Sequence, residues 1–503
     1  MEAPALVFIG FMGAGKTTGA RAAAAALGVR AIDTDRELEQ RLGTSIEEYF
    51  ASHGERAFRE AEEDLVAEVL ETVPAPVISL GGGSITSARV RELLARHTVV
   101  LLEVDEATAW RRAGGKKRPL ARDRERFRAL HAERTPQYEA LADAVLLDSG
   151  TDTVRRAAGA LRRIPPGVKV LWAVAGEHNY PVYVGDVLDG SFWPLRGRRF
   201  LISDDAVAPL YADRVPSALG PFVMPAGEEA KTLANAEVLL RGLAAAGMDH
   251  DDHVAALGGG VVGDVAGFCA AVYQRGVEVV QVPTTLVAQV DSAYGGKTGV
   301  DLPEGKNYVG AYHQPQAVLA DPRVLDTLPR EELAAGWAEV IKTALIAGGP
   351  LWARVRRGEG EVDRDLVLAC ARTKLGVVAH DERDAGHRQV LNLGHTVGHA
   401  IETATGYARY RHGEAVGLGL LAALTLSGQE ALRAEVGELL ARRGLPTTLD
   451  AGIDEDAIVA AAQRDKKRRG GRVGYVVVEA PGDVRTGVPM DEGSVRAAIQ
   501  ELR

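Results

Sequence analysis

Residues 6–18 read LVFIGFMGAGKTT, and this stretch decides the fold of the N-terminal part of the chain. The apolar run LVFIG has the length of a buried strand, and the Ala-rich stretch from Lys16 to Leu27 predicts a helix. Between them, residues 10–17 fit G-x-x-x-x-G-K-[ST] in the strand–loop–helix context that a phosphate-binding loop requires. Backbone N–H groups that converge at a helix N-terminus bind phosphate oxygens. The sequence therefore predicts a nucleotide site here.

The alternation of apolar runs with amphipathic stretches continues to about residue 163, which predicts a series of βαβ units and a parallel sheet. Ile164-Pro165-Pro166-Gly167 cannot continue the helix predicted before it, so we place a linker at 164–167. Strand signals return from 168 to 327, and residues 328–503 are mainly helical with one late strand, RVGYVVVEA. We predict an α/β protein: a P-loop parallel-sheet domain (1–163), a Rossmann-like α/β nucleotide-binding domain (168–327) and an all-helical metal-binding domain (328–503).

Composition excludes several classes of protein. The 503 residues contain 59 Lys and Arg against 69 Asp and Glu, a formal charge of -10, so no overall basic field attracts nucleic acid or a membrane surface. No apolar run reaches the ~20 residues of a membrane span, and we expect no signal peptide, because the strand-like ALVFIG begins within five residues of Met1. Two cysteines provide neither a disulfide framework nor a thiolate metal cluster. We expect a cytoplasmic protein whose partners are small molecules.

The strand after the first helix ends in Ile32-Asp33-Thr34-Asp35. Ligands bind at the carboxyl ends of parallel strands, so these carboxylates are candidates for Mg²⁺ and for a substrate hydroxyl. In a P-loop site the lysine, Lys16, pairs with the terminal phosphates, and the hydroxyl of Thr17 holds Mg²⁺. The alternative is that the two carboxylates only cap the next helix.

A second set of residues predicts a metal site. His395 and His399 stand four positions apart, on one face of a predicted helix, while Glu339 lies on an earlier helix and His412 follows. Nitrogen and oxygen ligands without sulfur suit Zn²⁺ or Co²⁺, and three protein ligands leave a position open for substrate. Clustering on the surface without a metal is the alternative.

Residues 1–163 resemble shikimate kinase. The resemblance rests on GFMGAGKT, on the DTD of residues 33–35, on FREAE, GGG, RPL and on R-x-P-x-Y at residues 134–138, in that order. It implies phosphorylation of shikimate by Mg²⁺-bound ATP, with Lys16, Asp35 and Arg118 as catalytic residues. The implied ATP-binding residues are Gly13, Ala14, Gly15, Lys16, Thr17, Thr18 and Arg118. The implied shikimate-binding residues are Asp35, Arg59, Gly81, Gly82 and Arg134. Thr17 and Asp33 would hold Mg²⁺.

Residues 168–503 resemble 3-dehydroquinate synthase in eight ordered blocks, among them PAGEEAKTL, ALGGGVVGDVAGF, QVPTTLVAQVDSAYGGKTGV, AGWAEVIKTALI and DERDAGHRQVLNLGHTVGHAIE. The resemblance implies that Glu339, His395 and His412 bind Zn²⁺ or Co²⁺. The implied NAD-binding residues are Glu228, Lys231, Gly260, Val261, Val262, Gly263, Asp264, Thr284, Thr285, Lys297 and Lys306. The implied residues around the heptulosonate phosphate are Arg275, Asp291, Lys297, Asn307, Lys342, Lys374, Arg388, Asn392, His399 and Lys466. Of these, Asp291, Lys297, Lys342, Arg388 and His399 would be catalytic.

The two resemblances together imply a bifunctional enzyme of chorismate and aromatic amino acid biosynthesis. The second reaction would use NAD⁺ without net consumption, since the substrate is oxidised, loses phosphate, is reduced again and closes to 3-dehydroquinate. The family pattern has a small aliphatic residue at the position of Tyr294 and an aliphatic residue at that of His387, which puts pocket details in doubt. Alternatives are another sugar-phosphate cyclase, a metal-dependent alcohol dehydrogenase, or a P-loop switch without enzymatic activity. We expect a homodimer through residues 168–503.

Overall fold

The structure, a computed structural model, describes residues 4–72, 77–113, 123–358, 360–384, 386–464 and 474–503. The chain divides into two compact units, Met1–Tyr183 and Val184–Arg503. Within the described ranges, no helix combines the length and the apolar character that crossing a membrane requires. Cys269 and Cys370 are both buried free thiols, so the described part of the chain is held together without disulfides.

The first unit contains a sheet and the helices that connect its strands. The strands are β1 (Leu6–Ile9), β2 (Ala31–Asp33), β3 (Val77–Ser79), β4 (Thr98–Leu102), β5 (Ala144–Leu146), β6 (Lys169–Ala175) and β7 (His178–Val184). The helices are α1 (Lys16–Leu27), α2 (Thr34–Leu42), α3 (Ile46–Thr72), α4 (Ala88–Leu94), α5 (Glu106–Ala113), α6 (Arg124–Leu141) and α7 (Thr151–Leu161). Helix α1 has the predicted bounds because glycines in the left-handed conformation, Gly15 and Gly28, flank it.

The strand order in the first unit is β2-β3-β1-β4-β5-β6-β7, and the pairs from β2 through β6 are parallel. The predicted parallel sheet is therefore confirmed. The loop after β1, the carboxylates after β2 and the glycines after β3 follow neighbouring parallel strands, so they lie at one edge of the sheet. This is what assembles the first site.

The boundary between the compact units falls later than the predicted linker at 164–167. Strand β6 follows the linker and pairs in parallel with β5, with Ala144 opposite Val170 and Leu146 opposite Trp172. Because backbone hydrogen bonds tie β6 to the first sheet, the first unit extends to Tyr183. The domain boundaries at 163/168 and at 327/328 stay predictions.

The second unit contains a parallel sheet, two hairpins and most of the helices. The strands are β8 (Arg199–Asp204), β9 (Ala218–Met224), β10 (His253–Gly258), β11 (Glu278–Pro283), β12 (Lys297–Leu302), β13 (Gly305–Tyr312), β14 (Ala317–Ala320), β15 (Gly474–Ala480) and β16 (Asp483–Pro489). The helices are α8 (Ala208–Tyr211), α9 (Leu233–Ala245), α10 (Gly260–Val272), α11 (Arg330–Ala347), α12 (Gly349–Arg356), α13 (Arg364–His380), α14 (His395–Ala404), α15 (His412–Leu426), α16 (Glu430–Arg442), α17 (Glu455–Arg464) and α18 (Glu492–Gln500).

The sheet of the second unit has the order β14-β11-β10-β8-β9, with parallel neighbours. Helices α11 to α18 enclose a separate apolar core around Leu345, Val416, Leu420 and Leu440, as predicted for a helical region. The prediction of a single late strand was wrong, because β15 and β16 form an antiparallel hairpin. The sequence of β16, DVRTGVP, carries no apolar alternation, since most of its residues are exposed.

Candidate active sites

The phosphate-binding loop connects β1 to α1. The Nζ of Lys16 donates hydrogen bonds to the carbonyl oxygens of Gly10 (2.9 Å) and Phe11 (3.2 Å). Gly10 requires the absence of a side chain, because its φ is 145° and a Cβ would lie 2.7 Å from the Leu102 carbonyl oxygen. Loop and lysine together provide the cradle that the motif predicts.

The two residues predicted to hold Mg²⁺ line one cavity. Thr17 and Asp33 face a space of about 190 Å³, together with the basic side chains of Arg21 and Arg36. Asp33 also caps α2, since its Oδ1 accepts a 3.3 Å hydrogen bond from the Arg36 backbone N–H. A hydroxyl and a carboxylate at a phosphate loop match the oxygen ligands that Mg²⁺ prefers.

The residues predicted to bind shikimate meet at the glycines after β3. A Cβ on Gly81 would lie 2.7 Å from Asp35 Oδ1, and one on Gly83 would lie 2.0 Å from Arg59 Nη1. Side chains in these positions would displace both groups. Because the glycines of this turn lack side chains, a carboxylate and a guanidinium from two different helices can both pack against it.

Two side chains from α6 complete this site. Arg134 is buried and donates through Nη1 to the Gly82 carbonyl oxygen at 3.3 Å, and the Tyr138 hydroxyl donates to the same oxygen at 2.5 Å. Burial raises the pKa of Tyr138 to about 12, so its hydroxyl stays a donor. Arg59 beside Gly83 and Arg134 beside Gly82 thus place two cations at the glycine turn, the pattern that binds a carboxylate.

Glu62 belongs to this site and was missed. Its Oε2 lies 2.5 Å from Arg59 Nη1, and its Oε1 accepts a 2.9 Å hydrogen bond from the Ser84 hydroxyl. The side chain is almost fully buried. Its position three residues after Arg59 on a helix was the available signal, because residues at i and i+3 are neighbours. Arg118, predicted to bind ATP, lies outside the described residues.

The predicted metal ligands of the second unit converge. Glu339 Oε1 lies 3.4 Å from His395 Nε2 and 3.5 Å from His412 Nε2, and these three groups meet the geometry of a metal site. The carboxylate is 1% exposed, and its oxygens have no well-aligned hydrogen bond within the described ranges, although Lys342 Nζ lies 2.5 Å from Oε2. A buried carboxylate facing two imidazoles fits Zn²⁺ or Co²⁺.

The two imidazoles differ in charge environment. Burial, followed by the positive charge of Lys342, lowers the pKa of His395 to about 3. Burial also lowers the pKa of His412, but hydrogen bonds that its ring donates to Glu339 and Glu402 outweigh it and raise the value to about 10. The site therefore concentrates negative charge on the side of His412, which favours a cation there.

A buried ionic cluster lies next to the ligands. Asp291 Oδ2 accepts a 2.8 Å hydrogen bond from Lys342, and its backbone carbonyl accepts one of 2.7 Å from Lys374, which also contacts the carboxylate. Burial raises the pKa of Asp291, but Lys342 and Lys374 lower it well below its usual range. Burial alone would lower the pKa of Lys342, yet Asp291 and Glu339 raise it. Both partners are therefore charged.

Three further predicted catalytic residues have their own contacts in the second unit. The ring centroid of His399 lies 5.3 Å from that of His395 and 5.9 Å from that of His412. Arg388 is buried and donates to the carbonyl oxygens of Glu382 and Gly295, at 2.5 and 3.2 Å. Lys297 is half exposed and pairs with Asp384 at 2.6 Å.

The predicted NAD-binding residues surround the turn between β10 and α10. Val261, Val262, Gly263 and Asp264 form the first turn of α10, which begins at Gly260. Lys231 is buried and lies 2.6 Å from Asp264 Oδ2, and burial raises the pKa of that carboxyl.

Closely packed glycines and unpaired hydroxyls line this turn. A Cβ on Gly259 would lie 2.9 Å from Thr285 Cγ2, and one on Gly260 would lie 3.0 Å from Ser292 Oγ. The buried hydroxyls of Thr284 and Ser292 have no hydrogen-bond partner in the described part of the chain. Buried hydroxyls beside a helix N-terminus fit the hydroxyl and phosphate groups of a dinucleotide.

Some predicted residues lie apart from these contacts. Arg275 is exposed with φ 70°, and Asn392 is exposed after α13. Asn307 is exposed, and its backbone N–H donates to Asp301 at 2.7 Å. No contact of these three side chains with the ionic cluster is recorded among the described residues. Lys466 lies outside the described residues.

The two departures from the family pattern occupy different environments. Tyr294 is 1% exposed, and its hydroxyl donates a 2.5 Å hydrogen bond to the Gln289 carbonyl oxygen. This bond spans a π-helical turn, Ala288–Ser292, which carries Asp291. His387 is exposed, with its ring centroid 6.0 Å from that of His380. Tyr294 is therefore the departure that touches the site.

Comparison with protein families identifies three segments of the chain. Residues 12–164 match the model for shikimate kinase. Residues 221–335 match the model for the 3-dehydroquinate synthase N-terminal domain, and residues 336–468 match that for its C-terminal domain. The matches follow one another in the order in which the sites occur.

Individual proteins agree with these matches. The 3-dehydroquinate synthase of Symbiobacterium thermophilum is 42% identical over 65% of this chain and 99% of its own length. A 2-deoxy-scyllo-inosose synthase solved with carbaglucose-6-phosphate, NAD⁺ and Co²⁺ covers 66% of this chain and 100% of its own, with 25% identity and a TM-score of 0.60. The 2-epi-5-epi-valiolone synthase of Streptomyces hygroscopicus subsp. jinggangensis, solved with NAD⁺ and Zn²⁺, covers 66% and 98% with 25% identity and a TM-score of 0.60.

The shared sequence covers the metal ligands, the ionic cluster and the glycine turn, and the kinase match covers Lys16 to Tyr138. The chain therefore belongs to the 3-dehydroquinate synthase family and carries a shikimate kinase domain before it, as a bifunctional enzyme of the shikimate pathway.

Proposed function

We propose that the first unit phosphorylates shikimate with the residues around Gly81 and Gly82. Arg59 and Arg134 bind the substrate carboxylate, and Asp35 accepts the proton of the hydroxyl that attacks ATP. Lys16 neutralises charge on the transferring phosphoryl group, and Thr17 with Asp33 holds Mg²⁺. Phosphoryl transfer depends mainly on positioning and electrostatics, which these fixed charges supply. The meeting of Asp35 and Arg59 over the glycine turn carries this proposal.

The second unit converts 3-deoxy-D-arabino-heptulosonate 7-phosphate to 3-dehydroquinate and phosphate, with NAD⁺ regenerated in each cycle. Lys342, Lys374 and Arg388 form the cationic lining for the substrate's carboxylate and phosphate. The Glu228–Lys231 segment and the glycine turn of α10 hold NAD⁺. Convergence of Glu339, His395 and His412 beside the ionic cluster is the observation that carries this assignment.

Glu339, His395 and His412 would hold the divalent ion. When bound, the ion supplies Lewis-acid polarisation of a substrate hydroxyl. His399 faces the same space and is placed to exchange a proton with the substrate. Asp291 keeps the ammonium groups of Lys342 and Lys374 in fixed positions, so charge that develops on the substrate meets a preorganised cation.

The assembly and the compartment belong to the same proposal. We expect a homodimer through residues 168–503 and a cytoplasmic location, where buried free thiols such as Cys269 and Cys370 stay reduced. Analytical ultracentrifugation of the full chain tests the dimer, and a sedimentation coefficient of a monomer at micromolar concentration would contradict it.

The first test is release of phosphate from the heptulosonate phosphate with catalytic NAD⁺. Chelation should abolish release, and added Zn²⁺ or Co²⁺ should restore it without net NADH. If a metal-loaded protein releases no phosphate, the synthase assignment is wrong, and another sugar-phosphate cyclase takes its place.

Two variants assign the reactions to the two sites. Lys16→Ala should abolish ATP-dependent phosphorylation of shikimate and leave phosphate release from the heptulosonate phosphate intact. His395→Ala should have the opposite effect and should also lower the metal content. Loss of both activities in either variant would contradict the separation of the sites.

A further inference from the structure

A buried carboxylate, Glu402, lies beside the metal ligands without belonging to the predicted set. It stands on α14, three residues after His399, and is 2% exposed. Its Oε1 lies 3.5 Å from His412 Nδ1, while the other ring nitrogen, Nε2, lies 3.5 Å from Glu339 Oε1. The two carboxylates therefore lie at opposite ring nitrogens of one imidazole.

This arrangement favours Nε2 of His412 as the cation ligand in the group with Glu339 and His395, while His399, Glu402 and His412 form a second group of neighbouring ligand atoms. When a cation displaces the proton on Nε2, a carboxylate that accepts from Nδ1–H keeps the remaining proton on Nδ1 and so leaves the Nε2 lone pair for the cation. That lone pair then points to the space shared with Glu339 and His395. Glu402 thus acts on the metal through His412.

A lysine on the β12–β13 hairpin connects the Glu402 carboxylate to the proposed NAD site. Lys306 on β13 places its Nζ 3.4 Å from Glu402 Oε1 and 3.3 Å from Glu228 Oε1. The same Nζ lies 4.5 Å from the centre of the Tyr407 ring, which limits its freedom. Glu228, Lys306, Glu402 and His412 form an unbroken line of charged contacts.

We propose that Glu402 is a positioning residue for the metal ligand His412, and that Lys306 links it to Glu228 so that NAD⁺ and the metal each strengthen binding of the other. This rests on the proposed assignment of both sites. Either ligand fixes one end of the line, so the second ligand binds groups that are already ordered. Such coupling is reciprocal, and an effect of at least about fivefold is expected.

The experiment is calorimetric titration of the metal-stripped full chain with Co²⁺, with and without saturating NAD⁺. The wild type should bind Co²⁺ at least about fivefold more tightly with NAD⁺. Lys306→Met should bind Co²⁺ with the same affinity in both conditions. Glu402→Gln should bind Co²⁺ about 10-fold or more weakly in both conditions, as expected for an outer carboxylate of a metal-bound histidine.

Two further variants provide an alternative disruption of the line and a matched control. Glu228→Gln breaks the other end of the line and should also remove the effect of NAD⁺, which covers the case in which Lys306→Met does not fold. Arg409→Met is the matched control, since Arg409 pairs with Asp450 near His412 but outside the line, and it should behave as the wild type.

The possible results distinguish a failure of the coupling from a failure of the site assignments on which it rests. Equal Co²⁺ affinity with and without NAD⁺ in the wild type, or an undiminished effect in Lys306→Met, overturns the coupling. Wild-type Co²⁺ affinity in Glu402→Gln overturns the positioning role. If His395→Ala binds Co²⁺ as tightly as the wild type, the metal site itself is assigned wrongly.

Discussion

Lys342 and Asp291 are joined by a hydrogen bond of 2.8 Å, although they stand 51 positions apart in the chain. The lysine is 1% exposed and also lies 2.5 Å from the metal ligand Glu339. One buried ammonium therefore lies between two carboxylates, of which Asp291 also contacts Lys374. The same ammonium therefore contributes both to the stability of the second unit and to the charge beside the metal ligands.

Lys342→Met should abolish synthase activity and lower the free energy of unfolding of the second unit by about 3–5 kcal/mol, because it removes the cation beside the buried Glu339 and leaves Asp291 with Lys374 alone. Chemical denaturation and phosphate release measure the two effects, and kinase activity should remain. Arg496→Met, which removes an exposed ion pair with Asp456, is the control. Unchanged stability in Lys342→Met would show that the buried carboxylates do not need this cation.

Glu62→Gln should weaken binding of shikimate while the KM for ATP stays unchanged. The substitution replaces a charged partner of Arg59 at 2.5 Å, and hydrogen bonds to charged groups contribute about 1.5–3 kcal/mol. We expect the KM for shikimate to rise about 10-fold or more. The control is Glu60→Gln, since Glu60 is exposed and lies 3.7 Å from Arg56. An equal change in both KM values would point to general loss of structure instead.

Tyr294→Phe should lower synthase activity through the π-helical turn that carries Asp291. The buried Gln289 carbonyl loses the hydroxyl that lies 2.5 Å away, at a cost of about 1–3 kcal/mol in stability. Thermal unfolding and kcat/KM for phosphate release measure the effect. Tyr312→Phe removes an exposed hydroxyl bonded to the Arg383 carbonyl oxygen at 3.2 Å and should change neither. If Tyr294→Phe matches the wild type, the hydroxyl does not stabilise the turn.

His253 should make the second unit less stable in acid. Burial, together with the charge of Arg199, lowers the pKa of His253 from 6.5 to about 4. The unfolded state therefore binds more protons between these values, and the free energy of unfolding falls as the pH drops from 6.5 to 4, by at most about 3 kcal/mol.

The structural cause is the acceptor role of this ring. His253 Nε2 accepts a 2.8 Å hydrogen bond from Trp193 Nε1, so a proton on that nitrogen would face a donor. His253→Gln keeps an acceptor and removes the titration. Thermal midpoints of both proteins at a series of pH values measure the difference, and parallel curves would exclude His253 as a source of the pH dependence.

Local patterns in the sequence predicted the elements that short-range physics governs. Helix α1 has its predicted bounds because the glycines at both ends adopt backbone conformations that other residues avoid. The spacing of His395 and His399 places both on one helix face, as the helical period requires. The P-loop and the order of the family motifs are likewise visible in the sequence without the fold.

Contacts between side chains that lie far apart in the chain were not predictable from local patterns. Lys297 pairs with Asp384 across 87 positions, and Glu402 joins His412 to Lys306 between a helix and a hairpin. Strand β16 lacks apolar alternation and forms because β15 offers it backbone hydrogen bonds. Glu62 follows Arg59 by three residues, but nothing local shows that Glu62 or Glu402 is buried, in contrast to the many exposed glutamates of the chain.

By itself, the sequence determined the phosphate loop and the class of each domain, since these depend on backbone preferences and on periodicity within one element. The proposed metal ligands Glu339, His395 and His412 lie on three different helices, and their choice followed from the family resemblance. Only the tertiary structure decided which buried charges face one another, because the energy of a charge depends on the partners and on the burial that distant segments provide. The contacts that connect Glu228 to His412 through Lys306 and Glu402 are an example of what only the tertiary structure decided.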